Sequence, residues 1–272
     1  MGGRMRVEVL VAAVGQQTRE LAQTMNLETD AVIVNQCDHY GYEEFTNRNR
    51  KVRCFHASER GVGLSRNTAL MRAEKEIILF SDEDIVLHCG YEQVILDAFA
   101  RNPDADMILF NVKVDPSRKT YYNTDIHRIH WYNYGRYPAY AIAARTGVLR
   151  RAGVTYPLLF GGGAVYSNGE DSLFLHDCLK KGLHLYTETA EIGEEILRPS
   201  TWFSGFTEKF FRDRGVLYHY LYGRLAVIWA LRFVLKKRKE MCKEIPAGKA
   251  IRLMTAGIRE GKDFRGQGRS EE

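Results

Sequence analysis

Three acidic residues that follow a short apolar segment are the first candidates for chemistry in this 272-residue chain. Asp82, Glu83 and Asp84 come one residue after residues 76–80, which read as a buried strand. Like charges this close repel one another unless a cation neutralises them. Mg²⁺ and Mn²⁺ bind one or two carboxylates together with the phosphate oxygens of a ligand. The spacing therefore indicates a divalent-cation site, although a solvated acidic turn that caps a helix also fits.

A glycine-bearing turn precedes that strand. Gly61 and Gly63 allow the backbone to approach a ligand closely, and the helix that follows begins with N–H groups that favour an anion. Arg66 is placed to reach a phosphate or a base. A plain turn that enters an amphipathic helix, with a solvated arginine, is the alternative.

A second acidic pair opens a helix further along the chain. Glu170 and Asp171 follow a glycine-rich stretch at residues 161–163. Acidic residues in a first turn are ordinarily stabilised by the helix dipole. The functional alternative is a general base, which must lie within hydrogen-bond distance of the hydroxyl that it deprotonates.

The hydrophobic pattern predicts the elements that position these residues. Short runs of Val, Ile and Leu alternate with segments of helical spacing, which is typical of parallel βαβ units. We expect an α/β fold with a mostly parallel sheet flanked by helices, and a ligand beyond the carboxyl ends of the strands. The predicted strands are residues 7–13, 31–35, 52–55, 76–80, 105–112 and 137–144, and the predicted helices are residues 18–26, 63–72, 91–101, 146–152, 170–181, 208–215, 216–240 and 247–259.

Composition and charge limit the function classes. Hydrophobic residues make up 45% of the chain and charged residues 27%, so general disorder is excluded. The net charge is +5, but residues 232–272 hold 12 basic and 6 acidic residues, a net of +6, which leaves the remainder at −1. We expect one domain over residues 1–199 and a basic helical extension over residues 200–272. Nucleic acid is a poor partner for basicity confined to a tail.

The extension joins an apolar run at residues 225–235 to the basic residues 236–239. The run is far shorter than the roughly 20 residues that span a bilayer. Interfacial helices have this composition, so an anionic membrane surface is a candidate partner, with packing onto the domain as the alternative. Five cysteines without a Cys-x-x-Cys pair favour a reducing compartment. We expect a cytoplasmic protein, peripheral at the inner face of the cell membrane.

In this order, the motifs resemble the family 2 glycosyltransferases with the GT-A (Rossmann-like) fold. The resemblance spans residues 7–182 and rests on three features. Asp38 follows the second strand, residues 61–84 are similar to the family's ARN…DxD block, and residues 169–171 are similar to its ED motif. Residues 200–215 also resemble small bacterial members that assemble capsule, O-antigen or exopolysaccharide.

The resemblance implies a donor site. It places Asp38 at the nucleoside base with Arg66 nearby, and it assigns Asp82 and Glu83 to nucleotide-sugar binding. Asp84 becomes the direct ligand to Mg²⁺ or Mn²⁺ on the diphosphate, with Asp82 beside it. A UDP-sugar is the expected donor because such donors are frequent in the family.

The resemblance also implies a reaction. Asp171 is the general base that deprotonates an acceptor hydroxyl, and Glu170 helps to position the acceptor, with inversion at the anomeric carbon. The acceptor is a glycan or lipid-linked sugar of bacterial surface polysaccharide, and the aromatic residues 121–140 are a candidate wall for it or simply core. Three residues are candidates for a later contact to the diphosphate, namely Arg198, Ser200 and Trp202.

Two other functions stay open. A sugar nucleotidyltransferase would carry a glycine-rich loop with Lys or Arg straight after the first strand, whereas residues 12–17 contain no Lys or Arg. A nucleotide-sugar-binding protein without turnover would need no base. Asp84 and Asp171 together argue against that second function.

Overall fold

The computed structural model describes residues 5–196 and 205–267, with side chains through residue 263. The chain forms two compact units. The first unit comprises Met1–Leu158 and Glu170–Pro199, and the second comprises Leu159–Gly169 and Ser200–Glu272. Residues 159–169 therefore pack with the C-terminal helices, a grouping that chain order does not indicate.

The first unit is built on a single sheet of short, largely apolar strands. Seven of the eight residues of the first strand are buried, as expected for a strand covered on both faces. In chain order the strands are β1 Val7–Val14, β2 Asp30–Gln36, β3 Gly41–Asn47, β4 Arg50–Ala57, β5 Ile77–Asp82, β6 Ile85–Leu87, β7 Met107–Lys113, β8 Ile142–Arg145 and β9 Leu185–Glu195.

The strand order across the sheet is β3-β4-β2-β1-β5-β8-β7-β9-β6. Parallel pairing joins β4, β2, β1 and β5, and it also joins β7 and β9. The remaining strands, β3, β6 and β8, are antiparallel to their neighbours. Val14 lies opposite Gln36, and Ala12 lies opposite Asp82, so β1, β2 and β5 end at one edge. This mostly parallel sheet confirms the predicted fold class.

Helices cover both faces of the sheet. On one face, Ile95 and Phe99 are fully buried in the same core cluster as the side chains of β1 and β2. On the other face, the ring of Tyr156 stacks on that of Phe174 at 4.1 Å, and Phe80 contacts both edge-on. The helices of this unit are α1 Thr18–Thr24, α2 Val62–Arg72, α3 Tyr91–Arg101, α4 Thr146–Ala152 and α5 Glu170–Lys180.

The C-terminal part of the second unit is helical, as predicted, whereas residues 159–169 of this unit contain no helix. It contains α6 Glu208–Tyr222, α7 Ala226–Met241 and α8 Ala247–Gln267. Gly215 of α6 and Gly257 of α8 let these two helices touch, because a Cβ at either position would collide with backbone of the other helix. Within the described ranges, no helix combines the length and the apolar character that crossing a bilayer requires.

Several predicted boundaries are wrong. The break predicted after residue 215 lies instead at residues 223–225, because Gly215 serves helix packing rather than helix termination. Residues 137–144 form a 3₁₀ turn at Ala139–Ala141 and only then β8. The pattern did not predict β3 or β9, whose residues are more polar than those of the central strands, or β6, which is apolar but only three residues long.

Candidate active site

A buried arginine joins two acidic segments at the carboxyl end of β5. Nη2 of Arg66 donates to Asp82 at 2.9 Å and 3.2 Å from its two carboxylate oxygens, and Nη1 donates to Asp171 Oδ1 at 2.9 Å. Glu170 Oε1 lies 3.5 Å from Nη1. The Arg66 side chain is only 4% exposed, and its guanidinium lies 5.1 Å from the centre of the Tyr156 ring. Because a buried cation requires such partners, Arg66 holds Asp82 and Asp171 in one place.

Asp171 has the properties of a proton acceptor. It lies in the first turn of α5, and its side chain keeps 22% exposure. Burial raises the pKa of Asp171 above its ordinary value, Arg66 opposes that rise, and the charges of Glu170 and Asp82 add to it. A carboxylate whose pKa is raised toward neutrality is a stronger base than an ordinary aspartate.

Asp84 lies in the turn between β5 and β6, among other carboxylates. Burial raises its pKa from 3.8 to about 6, and the charges of Asp82, Glu195 and Glu83 contribute to the rise. The turn is held in place from the neighbouring strand, since the N–H of Ile196 donates to the Asp84 carbonyl at 2.7 Å. A cation would relieve the repulsion at this turn.

Glu195 is a functional candidate that the sequence did not reveal. It ends β9 opposite Ile85, which places it beside Asp84. One carboxylate oxygen accepts a hydrogen bond from Arg118 Nη1 at 2.8 Å, whereas Oε2 is buried without a hydrogen-bond partner among the described residues. Glu195 could not be predicted as a site residue because the strand that carries it, β9, was not predicted.

The motif residues of α2 serve packing as well as charge. A Cβ on Gly63 would lie 2.6 Å from the Pro157 carbonyl oxygen, so the close approach that this glycine permits is to protein backbone. Asn67 accepts a hydrogen bond from the N–H of Tyr156 at 2.7 Å and donates to its carbonyl at 2.8 Å. These contacts fix the register of α2 and hence the position of Arg66.

The other residues predicted to bind the nucleotide-sugar donor lie outside the cluster around Arg66. Glu83 accepts a hydrogen bond from the N–H of Val14 at 2.6 Å, which ties the acidic turn to the end of β1. Asp38 follows β2 with its side chain 95% exposed, 3.0 Å from His39 Nδ1. Its contact to a nucleoside base stays a prediction, as does the approach of Arg66 to a base or phosphate. The candidate diphosphate contacts lie outside the described residues, namely Arg198, Ser200 and Trp202.

The aromatic segment at residues 121–140 divides between core and surface. Tyr121 and Tyr137 are buried and in contact with each other, whereas Trp131 and Tyr132 are 69% and 67% exposed. Tyr122 is exposed as well, and the role of the segment toward an acceptor stays a prediction.

Comparison with known proteins identifies the family. The model of glycosyl transferase family 2 matches residues 19–154, half of the chain. The chain belongs to glycosyl transferase family 2. The match includes α2, β5 and the acidic turn after β5, and it confirms the resemblance and the enzyme class. A search of curated proteins found no match.

Solved structures show the same fold. Residues 1–349 of S. aureus TarS, in a complex with UDP-GlcNAc, are 15% identical, with a TM-score of 0.59 over 88% of this chain and 74% of that one. The same TarS fragment in another structure is 13% identical, with a TM-score of 0.58 over 94% of this chain and 83% of that one. At this identity the likeness establishes the fold.

Proposed function

We propose that this family 2 glycosyltransferase moves a sugar from a nucleotide sugar to a hydroxyl group, with inversion at the anomeric carbon. The observation that carries the proposal is Asp171, a base of raised pKa that Arg66 holds beside Asp82 at the sheet edge where α/β folds bind ligands. Binding of a nucleotide sugar alone would not call for a base in that position.

The reaction is a single displacement. The acceptor oxygen forms a bond to the anomeric carbon and loses its proton to Asp171. The bond from that carbon to the diphosphate oxygen breaks on the opposite face, and its electron pair leaves with the nucleoside diphosphate. Arg66 keeps the carboxylate of Asp171 oriented. We propose that Glu170, whose Oε1 lies 3.5 Å from the same Nη1 atom, helps to position the acceptor.

The residues present fit a Mg²⁺ or Mn²⁺ ion. Asp82 gives both carboxylate oxygens to Arg66, whereas Asp84 and the buried Oε2 of Glu195 remain to hold a hard cation. Two carboxylates are a partial ligand set, which suits an ion shared with phosphate oxygens. When bound, such an ion offsets charge on the departing diphosphate.

The donor we propose is a UDP-sugar. The TarS structures of the same fold contain UDP-GlcNAc or UDP, which supports this class of donor. For the acceptor we propose a glycan or lipid-linked sugar of bacterial surface polysaccharide, following the motif resemblance, with the exposed Trp131 and Tyr132 rings available to stack on a sugar.

A donor panel tests the proposal. The chain is incubated with single nucleotide sugars and Mn²⁺ or Mg²⁺, and released nucleotide is measured, with EDTA as the metal-free control. We expect UDP release from one or more UDP-sugars, stimulated by acceptor and abolished by EDTA. Release of pyrophosphate would instead identify a nucleotidyltransferase. Tight donor binding without release at any acceptor would identify a binding protein.

We also propose that α7 rests on an anionic membrane. Its inner face buries Ala226, Ala230 and Val234, whereas Ile228, Leu231 and Leu235 are exposed on the outer face. The basic residues 236–239 follow directly, and each adds roughly 1 kcal/mol of attraction to an anionic surface. An apolar stripe beside basic residues is typical of an interfacial helix.

Vesicle flotation tests this placement. Wild-type protein should float with phosphatidylglycerol vesicles and less with neutral vesicles, and the double variant I228S/L235S should stay in the soluble fraction. Met71→Ser is the matched control because Met71 is 72% exposed on α2 in the first unit. Equal flotation of the double variant and wild type would contradict the proposal.

A further inference from the structure

Three metal-ligating side chains meet at the carboxyl edge of β2 and β4, apart from the acidic cluster. Cys37 and His39 lie in the loop after β2, and His56 lies near the end of β4. One ligand atom from each lies within 4.8 Å of the other two. Among the described residues, this is the group of three His, Cys, Asp or Glu side chains that meets that distance.

The distances match a tetrahedral ion. Cys37 Sγ lies 3.6 Å from His39 Nδ1 and 3.8 Å from His56 Nδ1. A zinc ion with bonds of about 2.3 Å to sulfur and about 2.0 Å to nitrogen holds those atoms about 3.6 Å apart at the tetrahedral angle. Small side-chain adjustments would therefore let the three atoms share one ion.

Carboxylates lie beside both histidines, and His56 Nδ1 lies 3.4 Å from the side-chain amide of Asn35, a contact that metal binding would replace. Glu43 Oε1 lies 3.7 Å from His56 Nε2, the nitrogen that faces away from Cys37. A carboxylate at the second ring nitrogen is the usual support of a metal-binding histidine. Asp38 Oδ1 lies 3.0 Å from His39 Nδ1, the nitrogen that also faces Cys37. Metal binding at that nitrogen would replace this contact and leave the Asp38 carboxylate to accept a hydrogen bond from a water in a fourth position.

The main chain holds two of the ligands rigidly. The N–H of Cys37 donates to the Ala57 carbonyl at 2.9 Å, which pins the loop to the strand that carries His56. Residues 31–36 of β2 pair in parallel with residues 52–57 of β4 directly before this point. Folding itself therefore brings the loop and the strand together, and metal binding does not have to supply that loss of conformational entropy.

We propose that Cys37, His39 and His56 form a binding site for a borderline-soft divalent cation, with Zn²⁺ as the expected ion. Thiolate and imidazole ligands select Zn²⁺, Co²⁺ or Cu²⁺ over Mg²⁺ and Mn²⁺, which prefer oxygen. The site therefore differs in chemistry from the carboxylates at Asp84. It would add a second class of metal beside the hard cation of the proposed reaction.

Cobalt titration of the full chain tests the site. Protein stripped with a chelator and dialysed should bind one Co²⁺ with the thiolate-to-cobalt absorption band of a cysteine ligand. Zn²⁺ should remove the band, and Mg²⁺ should not. We expect Cys37→Ser to lose the band, and His39→Ala or His56→Ala to weaken Co²⁺ binding at least about tenfold.

Matched variants distinguish this site from other thiols. Cys89→Ser removes an exposed cysteine with a histidine neighbour, His88, and should keep both the band and the affinity. Thermal unfolding in chelator checks that each variant is folded, and His39 in the exposed loop provides a ligand whose loss leaves the strands intact. Absence of the band in wild type, or its persistence in Cys37→Ser, would overturn the proposal.

Discussion

Replacing Asp84 by Asn should stabilise the fold. The pKa of this carboxyl rises from 3.8 to about 6 on folding, chiefly through burial, with the charges of Asp82, Glu195 and Glu83 adding to it. One pKa unit corresponds to about 1.4 kcal/mol, so the ionised carboxylate lowers the free energy of unfolding by about 3 kcal/mol at neutral pH. Asn has nearly the same shape and no charge, and it removes that cost.

The pH dependence identifies the cause. A carboxyl whose pKa is raised in the folded state destabilises the fold only above its unfolded pKa, and the effect is complete above its folded pKa. The gain from Asp84→Asn should therefore be about 3 kcal/mol near pH 7.5 and about 1 kcal/mol near pH 4.5. Below about pH 3 the gain should vanish, because Asp84 is then protonated in both the folded and the unfolded state.

Urea denaturation of the two proteins at several pH values measures this gain. Asp97→Asn is the matched control, since Asp97 is an exposed aspartate on α3 and should change the free energy of unfolding by less than about 0.5 kcal/mol. Mn²⁺ should raise the stability of wild type but not that of the Asn variant. A gain that is absent at pH 7.5, or equal at all pH values, would refute the reasoning.

Three further predictions concern the surroundings of this turn. Arg66→Met should lower the free energy of unfolding by about 3 kcal/mol or more. It should also move the acidic limb of the pH–activity profile to higher pH, because Asp171 loses its neighbouring cation. Arg53→Met also breaks a buried ion pair and should lower the free energy of unfolding by a similar amount, but it should leave the acidic limb where it is. Gly63→Ala should lower the melting temperature and activity together, since its Cβ would press on the Pro157 carbonyl. Glu195→Gln should weaken Mn²⁺ binding measured by calorimetry, and unchanged affinity would remove this residue from the metal site.

The elements that periodicity predicts well are those whose residues are buried on a regular face. β1, β2 and β5 are nearly continuous apolar runs, and α4 ends where Gly153 adopts a φ of 64°. β9 was not predicted because Thr and Glu residues occupy about half of its positions and leave no apolar run. Its parallel pairing with β7, together with a hydrogen bond from Arg101 to Glu188, makes those polar residues acceptable in the sheet.

The candidate site was predictable in its residue types but not in its contacts. Asp82 and Asp84 follow a strand that the pattern predicts, so their location at one sheet edge follows from the fold, and Asp171 lies in the first turn of a helix that the pattern also predicts. The pairing of Arg66 with Asp82 and Asp171 depends on how α2 and α5 pack, which no local pattern encodes. For the same reason Glu195, on a strand that was not predicted, could not be assigned.

Sugar transfer by Asp171→Asn, measured together with donor affinity, tests the central claim most directly. Asn keeps an oxygen acceptor for Arg66 but cannot take a proton, so transfer should fall about 100-fold or more while the donor dissociation constant changes less than about threefold. Asp177→Asn, at an exposed position on the same helix, should retain wild-type transfer. Transfer by Asp171→Asn at the wild-type rate would contradict the assignment of the base.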